Sequence, residues 1–423
     1  MNRPCLHCTI VQWADKERYR SREICQAPAL MLDSTSRPMT QAPSTAKATQ
    51  QQTKAHNDSL VLSTIYDAEA ISRAAIARHT GLSRTSVGEA VGELLERGLV
   101  EEIGRGHPSG GKPPILLQVK GEARHVIGVD LSGSEFRGAV YNLRGEVRHA
   151  VSLARDGRSG EAALELVYEL LDRLVGEANA PLLGLGIGTP GLIDIERGSQ
   201  VHWAVNLDWL DVPLRDLLAV RYRLPVRVLN DSQAAAMGEY FFGASHETGN
   251  LVVIKCEEGL GAGIVLEGRL VHGDQFGAGE IGHLVFGDGG EPCRCGNIGC
   301  VETIASASAV ERALRAVPAE DPAAVAKVVQ QAGRALGMAI ATLVGTLNVR
   351  DIVIAGRVAQ LGEPLLEAAR HEMLARSLAA LARDTRVEYS AIGSDITALG
   401  AAAVLLHEEL GVRVSPSGSA VAA

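Results

Sequence analysis

Apolar positions recur at helical spacing through residues 57–98. The run LVLSTIYDA starts this pattern, and RAAIARHT continues it after Ser72. RTSVGEAVGELLERG then places Val87, Val91, Leu94 and Leu95 on one face. Ser72 and Ser83 stand where helix N-caps belong, and Gly81 and Gly98 where helices stop. Beyond them, LVEEI and ILLQV flank the loop GRGHPSGGKPP and are predicted to pair as strands. Helix, helix, turn, helix, hairpin is a winged helix-turn-helix, and residues 57–120 are assigned to it.

The pattern then changes to short buried strands alternating with long helices, which predicts an α/β body. HVIGVDLSG and FRGAVYNLRGEV read as strand, turn and hairpin, and EAALELVYELLDRLVGEA as an amphipathic helix. LLGLGIGTPGLIDI is a buried strand with a Gly-Pro loop, and VPLRDLLAVRY is a helix. VRVLNDSQAAAMGEYFFG is read as a strand, with the Asn230–Asp231 pair at a strand end. LVVIKCEEGLGAGIVLEGRLVHG opens a second lobe. Its helices are ASASAVERALRAV, AAVAKVVQQAGRALGMAIATLVGTLN and PLLEAARHEMLARSLAALAR, with strands DIVIA and RVEYSAI and a last helix ALGAAAVLLHEEL. The lobes are placed at residues 124–245 and 246–411. Residues 1–56 and 412–423 show no period and are read as tails. The stretch STSRPMTQAPSTAKATQQQT cannot bury enough apolar surface to offset its ordering entropy, so the first tail is expected to be disordered. Translation starting at Met31 or Met39 is an alternative reading of it.

A hydrophobic content of 46% and a mean hydropathy of +0.08 fit a globular core. With aromatics at 4%, that core rests on Ala, Val, Leu and Ile. The net charge of −9 excludes whole-molecule attraction to nucleic acid, so any DNA contact belongs to one face. No apolar run reaches the ~18–20 residues of a membrane span. The first residues are too polar for a signal peptide, and a cytoplasmic location is expected. On the predicted winged helix, Arg84, Thr85 and Ser86 open the third helix, and Arg105, His107 and Lys112 ride on the wing. These six are the expected DNA contacts. Seven cations against eight anions over this region leave a protein-binding winged helix as the alternative.

The densest chemistry lies at 278–303, AGEIGHLVFGDGGEPCRCGNIGCVET. His283, Cys293, Cys295 and Cys300 form a donor set for a closed tetrahedral structural zinc site. A cytosolic setting disfavours the alternative, a disulfide. Of the other cysteines, Cys256 reads as a buried small hydrophobe, and Cys5, Cys8 and Cys25 lie in the tail. Glu280 and Glu302 flank the cluster, placed to accept hydrogen bonds from a polyol.

The GEIGH and CxCGxxGCxE spacing resembles the zinc signature of the ROK family (repressors, open reading frames and kinases). The resemblance implies an actin-like (ribonuclease H-like), two-lobed sugar-binding body. It also implies a sugar site of Asn206, Asn230, Asp231, Glu280, His283 and Glu302, with Asp231 as catalytic base only if the chain is a kinase. Regulatory members carry an N-terminal winged helix. Kinase members carry Asp-x-Gly-Gly-Thr-Lys where this chain has Asp130-Leu131-Ser132-Gly133-Ser134-Glu135, and Thr where it has Glu258. Arg357 stands in place of the second glycine of their adenine-side Gly-Gly pair. Acids facing a polyphosphate are repulsive. The expected function is a sugar-responsive DNA-binding transcriptional regulator, a repressor of carbohydrate-utilisation genes. Its expected partners are operator DNA and a small sugar or sugar-phosphate effector, with no membrane partner. The resemblance also implies a homodimer or homotetramer. The alternative is an ATP-dependent sugar kinase, a hexose kinase of glucokinase type, with an appended DNA-binding domain.

Overall fold

A computed structural model describes residues 50–68, 70–107, 113–243, 249–286 and 289–412. The winged-helix part runs α1 (Gln50–Asp67), β1 (Ile71–Ser72), α2 (Arg73–Thr80), α3 (Arg84–Glu96), β2 (Val100–Arg105) and β3 (Ile115–Val119). Ser72 accepts from the Ala75 amide and Ser83 from the Ser86 amide, so both predicted caps form. Val87, Ala90, Val91 and Leu94 carry the buried face of α3. Two features depart from expectation. The first helix begins at Gln50, ahead of the boundary at residue 57, and β1 adds a third strand in the order β1-β3-β2.

The body opens with β4 (His125–Asp130), β5 (Glu135–Asn142), β6 (Val147–Ala154), α4 (Gly160–Gly176) and β7 (Leu182–Thr189). A small sheet of β8 (Leu192–Asp194), β9 (Gln200–Ala204) and β10 (Trp209–Val212) follows, then α5 (Leu214–Tyr222), β11 (Val226–Asn230) and α6 (Asp231–Phe242). The run from Val226, read as one strand, therefore breaks at Asn230. That side chain caps α6 by accepting from the Ser232 and Gln233 amides, and the alanines beyond it favour helix.

The second lobe comprises β12 (Leu251–Cys256), β13 (Leu260–Leu266), β14 (Arg269–Leu270), α7 (Glu302–Ala305), α8 (Ala307–Arg315), α9 (Pro322–Leu347) and β15 (Asp351–Ala355). It continues with α10 (Glu363–Arg376), α11 (Ala379–Ala382), β16 (Arg386–Tyr389) and α12 (Ile396–Leu410). The long helix expected after Pro364 is interrupted at extended Ser377 and Leu378.

The two five-stranded sheets share one topology, β11-β7-β4-β5-β6 and β16-β15-β12-β13-β14. In each, three parallel strands are followed by two antiparallel ones. This is the duplicated pattern expected of an actin-like body. The final helix α12 crosses back to the first sheet. A Cβ on Gly128 would lie 2.0 Å from the Ala398 carbonyl oxygen, so β4 and α12 meet only because that position is glycine. On the other side of α6, a Cβ on Gly263 would lie 2.1 Å from the Ser232 carbonyl oxygen. Gly263 thus lies within β13 and serves close packing. The turn itself is the short segment at 257–259.

The winged-helix part is joined to the body by packing as well as by chain. The Tyr66 hydroxyl at the end of α1 donates to the Leu143 carbonyl at 2.6 Å, and the Arg144 guanidinium lies 4.5 Å from the Tyr66 ring centre. Among the described residues, no helix is long and apolar enough to cross a membrane.

Candidate functional site

A cleft of about 220 Å³ lies between the lobes, and all six expected sugar residues line it: Asn206, Asn230, Asp231, Glu280, His283 and Glu302. Their roles are unequal. The Asn230 oxygen caps α6 and its amide donates to the Gly191 carbonyl at 3.0 Å, which leaves one N–H free. Its work is chiefly to hold Asp231 at the helix start. Glu302 accepts from the Leu260 amide at 2.9 Å with one carboxylate oxygen, and its other oxygen lies 4.0 Å from the Cys293 sulfur. The Asn206 side-chain oxygen accepts from Arg294. Glu280 is 40% exposed, but to a narrow cleft rather than to open solvent. That confinement, with Asp231 and Glu302 nearby, pushes its carboxyl up to about 7.

Of the lining residues that escaped the sequence reading, two stand out. Trp203 on β9 lines the cleft and is 47% exposed. Trp209, by contrast, is buried in the core and donates to the Gly160 carbonyl at 2.9 Å. Lys255 on β12 is the second. It is 3% exposed, 3.1 Å from the Asp231 carboxylate and 3.3 Å from Asp130, and it donates to the Ser132 hydroxyl. One ammonium thus ties β4 of the first lobe to β12 of the second beneath the cleft. Burial alone would lower the Lys255 pKa, but Asp130, Asp231 and Glu257 outweigh it and hold the amine charged.

The acids expected to repel a polyphosphate are not bare. Glu258 takes both oxygens to Arg155, at 3.0 and 2.8 Å. Glu257 accepts from the Arg357 backbone at 3.1 Å and from its guanidinium at 2.8 Å, and Arg357 also reaches Glu311 at 2.7 Å. Glu135 lies on the surface of β5, where it accepts from Ser152 at 2.7 Å, and it is not part of the cleft wall. Sequence spacing cannot foresee pairs such as Arg155–Glu258. Glu257 and Glu258 are thus neutralised by Arg357 and Arg155. Of these paired groups only Glu257 lines the cleft itself.

His283, Cys293, Cys295 and Cys300 converge with all ligand atoms within 4.8 Å of one another. The His283 Nδ1 lies 3.6 Å from the Cys293 sulfur, and the Cys295 and Cys300 sulfurs are 3.6 Å apart. A tetrahedral site with metal–sulfur bonds of ~2.3 Å has sulfur–sulfur edges of roughly 3.8 Å, so the four residues fit one ion. With Nδ1 turned to that ion, Nε2 faces Glu280 at 3.7 Å and opens on the cleft. The knot and the cleft share His283.

On the winged helix, Arg84, Thr85, Arg105 and His107 are exposed and Ser86 is half-buried at the start of α3. Lys112 lies outside the described residues.

Residues 126–408 match the ROK family, and residues 56–108 match the MarR family of winged-helix proteins. The chain belongs to the ROK family. This ROK protein is 32% identical over 388 residues to a xylose repressor of Caldicellulosiruptor bescii, a match spanning 84% of this chain and 96% of the relative. It is 33% identical over 319 residues to a glucokinase of Halalkalibacterium halodurans, covering 68% and 96% of the two chains. Among solved structures, a ROK family transcriptional regulator, described as a homologue of the Escherichia coli MLC protein, overlays with a TM-score of 0.73 at 28% identity. That overlay covers 86% of this chain and 98% of the other. The repressor match includes the winged-helix region, while the glucokinase match is confined to about the length of the body.

Proposed function

We propose that this ROK protein is a sugar-responsive, DNA-binding transcriptional repressor. The observation that carries the reading is one chain holding a winged helix with an exposed, basic α3 start and a cleft lined by Asp231, Glu280, His283 and Glu302. The match to a xylose repressor over both parts supports it. The carboxylates and the His283 ring recognise hydroxyls. Trp203 offers an apolar face to the ring carbons of a sugar.

The ion in the knot is zinc in this reading, because three thiolates and one imidazole favour it over oxygen-seeking cations. It orients His283, whose free N–H then serves the cleft. Arg84, Thr85, Ser86, Arg105, His107 and Lys112 contact operator DNA, and two or four copies of the chain present paired recognition helices. Sugar binding alters the angle between the body and the DNA-binding part and hence that spacing. The Lys255 bridge and the Glu257–Arg357–Glu311 pairs support regulation over phosphoryl transfer. Lys255 occupies the place between Asp130 and Asp231, where catalysis would need a free base.

Operator binding measured by fluorescence anisotropy against a panel of aldoses tests the reading. One sugar that shifts the operator Kd at least tenfold supports it. An operator affinity indifferent to every sugar that binds the protein overturns it.

A further inference from the structure

A second cavity, of about 320 Å³, lies behind the metal knot and shares Arg294 and Glu302 with the sugar cleft. Its wall brings together three guanidinium groups, Arg155, Arg294 and Arg312. Arg155 is neutralised by Glu258, yet its Nε is buried without a hydrogen-bond partner. A buried donor left unmatched is destabilising unless an acceptor arrives. Arg294 bonds only the neutral Asn206 side chain and has no carboxylate partner among the described residues. Arg312, on the face of α8 at the cavity mouth, likewise has no ion pair there. The Ser308 hydroxyl adds a further donor to the wall. Against these stand two carboxylates, both engaged: Glu258 on Arg155, and Glu302 on the Leu260 amide.

Guanidinium groups converging with a hydroxyl on one cavity suit a tetrahedral dianion, which accepts from several forked donors at once. We propose that this cavity binds a phosphoryl group, resting on the reading that the adjoining cleft holds a sugar. Arg294 is the shared wall. It stands between Cys293 and Cys295 of the metal knot, bonds Asn206 and lines both cavities. The phosphoryl group belongs either to a phosphate ester of the sugar, spanning both cavities, or to a separate phosphate that binds beside a free sugar.

The test uses full-length, zinc-loaded protein in phosphate-free buffer, with isothermal titration calorimetry against inorganic phosphate, free aldoses and their phosphate esters. Arg312→Glu is the variant, since Arg312 is exposed and does not line the sugar cleft. Inorganic phosphate should bind the wild type, and at least tenfold more weakly the variant, while free-aldose affinity stays unchanged. An ester binding at least tenfold more tightly than its free sugar, with that gain lost in Arg312→Glu, assigns the phosphoryl group to the ester. Phosphate binding undiminished by saturating sugar, with no gain for any ester, assigns it to a separate phosphate. Neither phosphate nor any ester responding to Arg312→Glu overturns the site. The phosphate titration needs no sugar, so a failure of sugar binding would count against the proposed function and leave the anion site to be judged by itself.

Discussion

The Lys255 ammonium, almost removed from solvent, and the half-buried Asp231 carboxylate lie 3.1 Å apart at the floor of the cleft. Asp130 completes the group from the other lobe, so the bridge acts as a fastener between two sheets of the same topology. Breaking one partner of such a buried set leaves uncompensated charge. Lys255→Met should therefore lower stability by about 3–5 kcal/mol, read from urea unfolding midpoints. A loss under ~1 kcal/mol would mean that the lobes are held mainly by α12 and α6.

The same group sets an alkaline limit. The Lys255 pKa is raised above its ordinary 10.5, because its acid neighbours outweigh burial. Its contribution is complete below pH 10.5 and is lost as pH rises through the higher folded value. Thermal unfolding followed from pH 9 upward should show a decline that steepens above that point and is absent from Lys255→Met.

Metal content checks the knot. One zinc per chain is expected by elemental analysis, and Cys300→Ser should abolish stoichiometric loading. Because His283 belongs to both knot and cleft, stripping the ion should weaken sugar binding by roughly 10–100-fold, the usual cost of losing a ligand's orientation. Sugar affinity indifferent to metal would detach the two sites.

In the cleft, Asp231→Asn and Glu302→Gln should each weaken sugar binding about tenfold or more, while leaving operator affinity without sugar within twofold. The measurement is sugar titration alongside operator anisotropy. Loss of both activities in parallel would point to misfolding instead.

At the DNA face, Arg84→Ala should cost about 1–3 kcal/mol of operator affinity if it reads a base. If it touches phosphate only, the loss will be uniform across sequences and the salt slope will fall by about one. Unchanged operator affinity would favour the winged helix as a protein-contact module.

What the sequence disclosed followed local rules. Ser72 and Ser83 were legible as caps because capping is decided within four residues. The metal donors were legible because three of the four lie within an eight-residue span. Lys255 was passed over because the surrounding run is apolar, although a lone lysine in a buried strand is itself the signal: such a charge must have a partner. Arg155 carried no local signal, since its partner Glu258 is 103 residues away. The helical start at Asp231 was readable in principle from an Asn cap followed by alanines, but the apolar strand before it masked the change of period. The first helix was cut short because its polar opening turns gave no apolar repeat to count.

The last helix has a consequence beyond packing. Near its start, the Thr397 hydroxyl lies 3.5 Å from the Asp231 carbonyl oxygen, at the cleft. Past its end, Gly411 abuts Ser59 on α1, where a Cβ would meet the hydroxyl at 2.7 Å. Its 15 residues make a rod of about 22 Å. Tilting such a lever by about 10° sweeps its far tip through about 4 Å, most of one helical turn's pitch. Because Gly128 and Gly186 seat this helix directly against the first sheet, any such tilt would carry β4 and β7 with it, so cleft, sheet and the base of α1 are coupled as one body.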